Sequence, residues 1–403
     1  MTSSGVCSGA AIARVSWPPM TESASPVLVS GARTPIGRFR GGLADRTGVE
    51  LGAAAVRAAL DRSPGLEPDY VVLGNVLQAA GGQNPGRRAA LAGGVARQVP
   101  GITVNDVCLA SLSAVALAAG MLREGEATCV VVGGFDSMTG APHAVHVRGA
   151  AAMGDQPMID VMVHDGLYCS IQDAGMIELS DAENARLDIS RADQDAFAAQ
   201  SHARAAAATE AGRHAEEIVA VDGLGLDRDE GIRPTTTPAG LGALRPAAGG
   251  TITAGNASQL SDGGAAGVVT TAGRARAAGL EPLVEIVGRA VVAGPDSTLH
   301  LRPAEAAEIL LARHGLSAAD IDLWEVNEAF AGVALATIRA LDVDPARVNA
   351  DGGAVALGHP LAASGFRLLL TLAHQMRRGG ATLGVATMCG GGGQGEALLV
   401  RRG

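Results

Sequence analysis

The chain repeats itself at half length, and this constrains its fold more than any other feature. A helical pattern over 51–60 leads into Gly65-Leu66, Asp69, the apolar run Tyr70-Val71-Val72-Leu73, and Gly74-Asn75. The order returns downstream as a helical pattern over 306–313, Gly315-Leu316, Asp320, the strand-like Ile321-Asp322-Leu323-Trp324-Glu325-Val326, and Asn327. Gly65 and Gly315 stand 250 residues apart. A second pair recurs at an offset of 254, with 123–128 preceding the apolar run 129–134 and 378–382 preceding 383–387. Two matches at nearly one offset indicate a duplicated unit. Each half alternates short β-branched runs with helical segments, the pattern of sheets covered by helices. The expected fold class is therefore α/β, with two duplicated halves whose mixed sheets are layered between helices. The halves are placed at 26–139 and 276–403. Between them, 140–275 reads as an inserted loop domain that also begins the second half. Its composition shifts to a charged helix over 190–212 and a Pro/Gly-rich loop over 231–250. Residues 1–25 are rich in Ser, Gly and Pro, without an apolar stretch ending in a cleavage site, and read as a poorly ordered N-terminal extension. Met20 precedes the first strand at 26–30, so residues 1–19 read as an upstream extension.

Composition narrows the chemistry. Every one of the 31 basic residues is arginine, since the chain has no lysine. That excludes Schiff-base and pyridoxal chemistry, and a phosphate loop ending in Gly-Lys-Ser/Thr. A phosphorylated ligand would have to be met by arginine, hydroxyls or backbone amides. The net charge of −10 argues against a nucleic-acid partner. No uncharged apolar run reaches 18 residues, so no membrane span or membrane partner is expected. The five cysteines, at 7, 108, 129, 169 and 389, never form a Cys-x-x-Cys pair, so neither a disulfide framework nor a metal site is expected. With no visible targeting segment, the cytoplasm is the default location.

Four places carry candidate chemistry. Cys108 follows Val104-Asn105-Asp106-Val107 and opens an apolar helical stretch, with Asn105 or Asp106 as N-cap. In the first turn the helix dipole would favour its thiolate. On this feature alone a small core cysteine fits as well. His359 sits among small residues in Gly358-His359-Pro360, where a ligand could approach the imidazole. Cys389 precedes four glycines, 390–393, whose amides could face an oxyanion, although a tight hairpin would also use one or two of them. Asn327 closes the strand that matches the one ending at Asn75.

Together these four resemble one family, the thiolases, in order: a cysteine opening a buried helix (Cys108), Asn-Glu-Ala-Phe (327–330), Gly-His-Pro (358–360) and a cysteine before a glycine run (389–393). The similarity covers about 26–403 and extends to 33–37, 182–184, 229–233 and 254–258. It implies a thiolase-like fold and an acyltransferase that moves acyl groups between CoA thioesters. The reaction would be Claisen condensation of two acetyl-CoA to acetoacetyl-CoA, or the reverse thiolysis. Cys108 would carry the acyl group, His359 would take its proton, and Cys389 would act at the α-carbon. His359 with a water on Asn327 would form one oxyanion hole, and the amides of Cys108 and Gly391 the other. Arg233 is the implied contact for the CoA nucleotide and Ser258 for the pantetheine, unless Arg233 is a surface charge paired with Asp229 or Glu230. No permanently bound cofactor is implied; CoA and acyl-CoA are the partners. A homo-oligomer, dimer or tetramer, is implied too, 144–149 resembling the segment where tetrameric members join.

Three departures from the family pattern stand out. Leu109-Ala110-Ser111 replaces the usual residues after the nucleophile, which bears on the acyl-pocket floor. A His-Met-Gly segment is replaced by 174–181, two residues longer, and a family Met-Gly-x-Gly-Pro by Val291–Pro295. Acetyl specificity is therefore open, with a degradative thiolase for longer or bulkier chains as the alternative. Cys389 argues against a decarboxylating condensing enzyme on the same fold. A non-catalytic acyl-CoA-binding protein would not need all four residue types.

Overall fold

The computed structural model describes residues 22–149 and 153–403; the extension placed at 1–19, and Cys7 with it, lies outside the described residues. Nine strands form the path of one ten-stranded mixed sheet: β1 (Pro26–Arg33), β2 (Tyr70–Gly74), β3 (Gly101–Val104), β4 (Cys129–Ser137), β5 (Ser261–Thr271), β6 (Val284–Ala293), β7 (Leu323–Val326), β8 (Leu383–Gly390) and β9 (Gln394–Arg401). Their order is β7-β8-β9-β6-β1-β5-β4-β2-β3, and the short strand Gly37–Arg38 pairs with β5 off this path. Within it the duplication is explicit. β2 runs parallel to β4, as β7 does to β8. β4 is antiparallel to β5, as β8 is to β9. β5 is antiparallel to β1, as β9 is to β6. The halves join where β1 meets β6 through Val27↔Glu285 and Leu28↔Val284. Residues 261–271, late in the 140–275 stretch, supply β5, between β1 and β4.

A carboxylate marks the repeat. Asp69 accepts from the Thr128 and Cys129 amides (2.8 and 3.1 Å), and Asp322 from those of Thr382 and Leu383 (2.7 and 3.0 Å). Each ties the start of one parallel strand to its neighbour. The equivalent of Asp69 is thus Asp322 rather than Asp320, which instead caps a short turn with Ser317 (2.8 Å).

Two equivalent helices, α1 (Ala110–Glu124) and α2 (Ser364–Gly379), pack against each other in the largest apolar cluster, through side chains such as Leu112, Leu368 and Leu372. Their approach is close enough that a Cβ on Gly365 would sit 2.7 Å from the Leu112 amide nitrogen. Residues 107–124 are long and apolar enough by composition to cross a membrane, which the reading by uncharged runs did not anticipate. Here that stretch is mostly buried in the protein core, as an all-round apolar helix requires.

Candidate active site

Cys108 and His359 come from matching places in the two halves, the loops ahead of α1 and α2, while Asn327 and Cys389 both come from the second half. Cys108 lies in the loop between β3 and α1, and His359 in the loop before α2. Asn327 follows β7 directly, and Cys389 is the penultimate residue of β8. For Cys108, Asn327 and Cys389 these are C-terminal ends of parallel strands and the turns beyond them, where sheets of this kind open to ligands. Cys108, His359, Cys389, Gly391 and Ser258 all line one cavity of about 60 Å³, closed by Leu167, Met176, Leu299, Phe330 and Leu361.

Cys108 does not sit in the first helical turn. α1 begins at Ala110, its N-cap Leu109 makes no side-chain cap, and Val107 takes a left-handed conformation (φ 48°). Asn105 accepts from the Val107 amide (3.1 Å) instead of capping the helix. The Asp106 carboxylate is held by the Ser113 hydroxyl (2.9 Å) and the Gln394 amide (3.1 Å). The expected dipole activation is therefore not what prevails. Burial pushes the Cys108 thiol up to about 12, against the opposing pull of the Gly391 amide and its own amide on the sulfur, so the resting residue is a neutral thiol. Cys389 is 1% exposed, and burial together with the neighbouring Cys108 sulfur raises its thiol strongly too.

His359 is buried, and burial lowers its imidazolium to about 3, with Arg367 adding to the effect. Its tautomer follows from its neighbours. With the Ser364 Oγ proton assigned to the Pro360 carbonyl (2.9 Å), the hydroxyl accepts from His359 Nδ1–H at 2.6 Å. Nε2 is left as the acceptor, and the Asn327 amide group, a donor, faces it at 3.4 Å. Two neighbours thus select one form, with the basic nitrogen toward Asn327. Asn327 Oδ1 is buried with no protein partner, which suits an amide that holds a water. Its repeat equivalent Asn75 donates to Asp136 (2.8 Å) and is wholly structural.

Of the two uses expected of the glycine run, the tight hairpin is the one the backbone displays. Gly391–Gly393 make the tight turn between β8 and β9, with Gly392 and Gly393 at φ 80° and 77°, a region that favours glycine. The Gly391 amide meanwhile points at the Cys108 sulfur. The altered Val291–Pro295 segment braces this turn, Gly294 donating to the Gly393 carbonyl (2.8 Å). Of the altered residues after Cys108, Leu109 packs under Gly390, and Ser111 accepts from the Phe366 amide (2.8 Å). They support the site from the core. In the altered 174–181 segment, Met176 reaches the cavity.

Ser258 is in the cavity wall, but Arg233 is not. Arg233 is exposed, contacts Gln259 (3.4 Å), and has no ion pair among the described residues. Pairing with Asp229 or Glu230 does not occur, because Asp229 holds the buried Arg33 (2.7 Å) and Glu230 accepts from the amides of Arg38 and Gly42. Sequence reasoning missed Ser364, five residues beyond His359. It also missed Asp136, whose Oδ2 accepts from the Ala362 amide (2.7 Å) while Oδ1 accepts from Val76 and Leu77, pinning the histidine loop to β4. Nothing in a lone buried aspartate signals that role.

Two family models match the chain. Residues 26–273 match the model of the thiolase N-terminal domain and 280–402 that of the thiolase C-terminal domain. A probable acetyl-CoA acetyltransferase of Mycobacterium tuberculosis is 46% identical over 389 residues, covering 94% of this chain and 99% of its own. The acetyl-CoA acetyltransferases of Escherichia coli and Paracoccus denitrificans are 42% and 43% identical, each over 93% of this chain and 98% and 99% of theirs.

Proposed function

Since the chain belongs to the thiolase family, an acyltransferase family, we propose that it joins two acetyl-CoA into acetoacetyl-CoA, or cleaves that product with CoA, through a thioester on Cys108. The observation that carries this reading is the single cavity onto which Cys108, Cys389, His359 and the Gly391 segment all open, with His359 held in its Nδ1–H form. In the first half-reaction His359 Nε2 accepts the Cys108 proton as the sulfur attacks the thioester carbonyl. The amides of Cys108 and Gly391 receive the oxyanion. Collapse expels CoA sulfur, which takes the proton back from His359. In the second, the Cys389 thiol passes its proton to His359 Nε2, and the resulting thiolate removes the α-proton of the incoming acetyl-CoA. The Nε2–H so formed and a water on Asn327 hold the enolate oxygen while its carbon attacks the Cys108 thioester, whose carbon–sulfur bond breaks as the Cys108 sulfur takes the proton from His359. Both catalytic groups rest uncharged, so charge arises only once acyl substrate has excluded water. Each preorganised donor in such a site is worth about 10²–10³ in rate.

The substrates are CoA thioesters. The exposed and unpaired Arg233 suits the CoA nucleotide end, and Ser258 the pantetheine arm. A second reading, thiolysis of longer or bulkier 3-oxoacyl chains, is favoured by one observation. A cavity of about 350 Å³ adjoins the catalytic one and shares Val107, Gly166, Met176 and Gly391 with it. The test is thiolysis of 3-oxoacyl-CoAs of increasing length with free CoA, followed by loss of enolate absorbance. Turnover of acetoacetyl-CoA supports the first reading, and turnover confined to long chains supports the second. No turnover at any length overturns both. The same reading takes the protein to be a homo-oligomer, dimer or tetramer, which sedimentation equilibrium decides.

A further inference from the structure

A polar chain that the mechanism above does not use runs beside the nucleophile loop. Ser113, in the first turn of α1, places its Oγ 2.9 Å from Asp106 Oδ2 and 2.7 Å from Glu396 Oε2. A hydroxyl has one proton and donates to one of these oxygens only, so two ionised carboxylates would leave one of them facing an oxygen lone pair. Asp106 already accepts at its other oxygen from the Gln394 amide (3.1 Å). Glu396 is wholly buried, and burial assigns the missing proton to it. Its acid is pushed up to about 7, although Arg289 opposes this. With that proton in place the Ser113 oxygen is fully used: it accepts from Glu396 and, at 3.5 Å, from Arg289 Nη2, and it donates to Asp106. The charged groups facing Glu396 are Arg289 on β6, its Nε 2.7 Å from Oε1, and Asp106. Directly across the sheet stand Met388 on β8 and Val291 on β6, while the helix Arg302–Arg313 packs on the other face of β9 against Ala397 and Leu399. Asp106 ties together the two pieces that carry the oxyanion amides. It stands two residues before Cys108, and Gln394 three residues beyond Gly391. Between them Val107 abuts Gly391, where an added Cβ would lie 3.1 Å from Val107 Cγ1.

We propose that Glu396 is a positioning residue for acyl transfer, its proton holding the Cys108 loop against the glycine turn through Ser113 and Asp106. Protonated Glu396 donates to Ser113, Ser113 donates to Asp106, and Asp106 also accepts from Gln394, so every link has one donor and one acceptor. When Glu396 ionises, the Ser113 proton turns to the buried carboxylate, and Asp106 Oδ2 is left against an oxygen lone pair. The repulsion moves the Asp106 segment, and with it the Cys108 amide, away from the Gly391 amide. Oxyanion binding weakens while the approach of CoA is little changed, because the chain touches neither substrate nor reacting atom. The placement of the proton stands by itself; its effect on turnover rests on the function proposed above.

Thiolysis of acetoacetyl-CoA is measured from about pH 6 to about pH 8.5 in wild type, Glu396→Gln and Ser113→Ala. The amide of Glu396→Gln donates to Ser113 as the acid does but does not titrate. The ratio of wild-type to Glu396→Gln kcat, in which titration of CoA cancels, should therefore fall several-fold as pH rises through about 7. Ser113→Ala cuts the chain and should lower kcat several-fold at the acid end, with KM for CoA within about twofold. The wild-type to Ser113→Ala ratio should fall with pH in the same way, which keeps the test open if Glu396→Gln does not fold. A ratio that stays constant with pH overturns the proposal, as does wild-type kcat in Ser113→Ala. Infrared difference spectra of wild type against Glu396→Gln read the proton without turnover. A protonated-carboxyl C=O band is expected at about pH 6 and gone at about pH 8.5, and no such band at about pH 6 overturns the proposal. If wild type has no thiolysis at any pH, the proposed function fails while the infrared band still decides where the proton sits.

Discussion

Ser364→Ala tests the tautomer argument most sharply. His359 is 5% exposed, and its Nδ1–H has Ser364 Oγ as acceptor at 2.6 Å. Removing the hydroxyl leaves that donor buried and unpaired, a cost of about 1–3 kcal/mol. The cost falls only on the form whose Nε2 can accept the Cys108 proton. At about 1.4 kcal/mol per tenfold, the base-competent population drops ~5- to 150-fold, and kcat drops with it. The KM for CoA should stay within about twofold, because uniform binding is untouched. Loss of the Ser364–Pro360 hydrogen bond removes about 1 kcal/mol of stability, a fall of about 2 °C in Tm, so the variant remains folded at assay temperature. The assay is steady-state thiolysis of acetoacetyl-CoA at saturating CoA. A variant with wild-type kcat, or one whose loss lies entirely in KM, would refute the reasoning.

Three further outcomes follow from the same geometry. Cys389→Ala should still form the acyl-enzyme on Cys108 but lose turnover by about 10²–10⁴, because only the α-proton step needs the second thiol; rapid-quench acylation against steady-state rates checks this. With the Cys108 thiol raised to about 12 and the His359 imidazolium lowered to about 3, the free enzyme holds a neutral pair between those limits. Iodoacetamide alkylation at Cys108 should therefore climb about tenfold per pH unit from pH 7 to 9, and a plateau below pH 8 would mean a resting ion pair. Asp136→Asn puts an amide group where either the Ala362 amide or those of Val76 and Leu77 now donate, at about 1–3 kcal/mol. Thermal unfolding should show that loss, and kcat should fall as the histidine loop shifts.

The repeat made most of the architecture readable. Glycine, aspartate and asparagine recur at fixed places around each parallel strand, and the carboxylates of Asp69 and Asp322 do the same job in both halves. Placing Asp320 as the partner of Asp69 missed by two residues, because the second half carries an extra capped turn at 317–320 before its strand. His359, Asn327 and Cys389 stand out in the sequence because each lies beside a punctuating glycine, proline or strand end, and Cys108 because it opens an apolar helical stretch. Dipole activation of Cys108 was not, since helical periodicity cannot show a left-handed Val107 that holds the cysteine ahead of the first turn. Ser364 and Asp136 were invisible for another reason: their roles depend on contacts fixed only when the loops fold against α2 and β4. The meeting of Arg33 with Asp229, about 200 positions apart, left Arg233 unpaired in a way that no local pattern shows.

The central claim is that Cys108 carries the acyl group. Incubation with acetyl-CoA alone, rapid acid quench and tryptic mass mapping test it directly. The account predicts one acetyl group on peptide 98–123, absent in Cys108→Ala and discharged by free CoA in the wild type. An acetyl group found only on another peptide, or none on a protein that still turns over acetoacetyl-CoA, would contradict it.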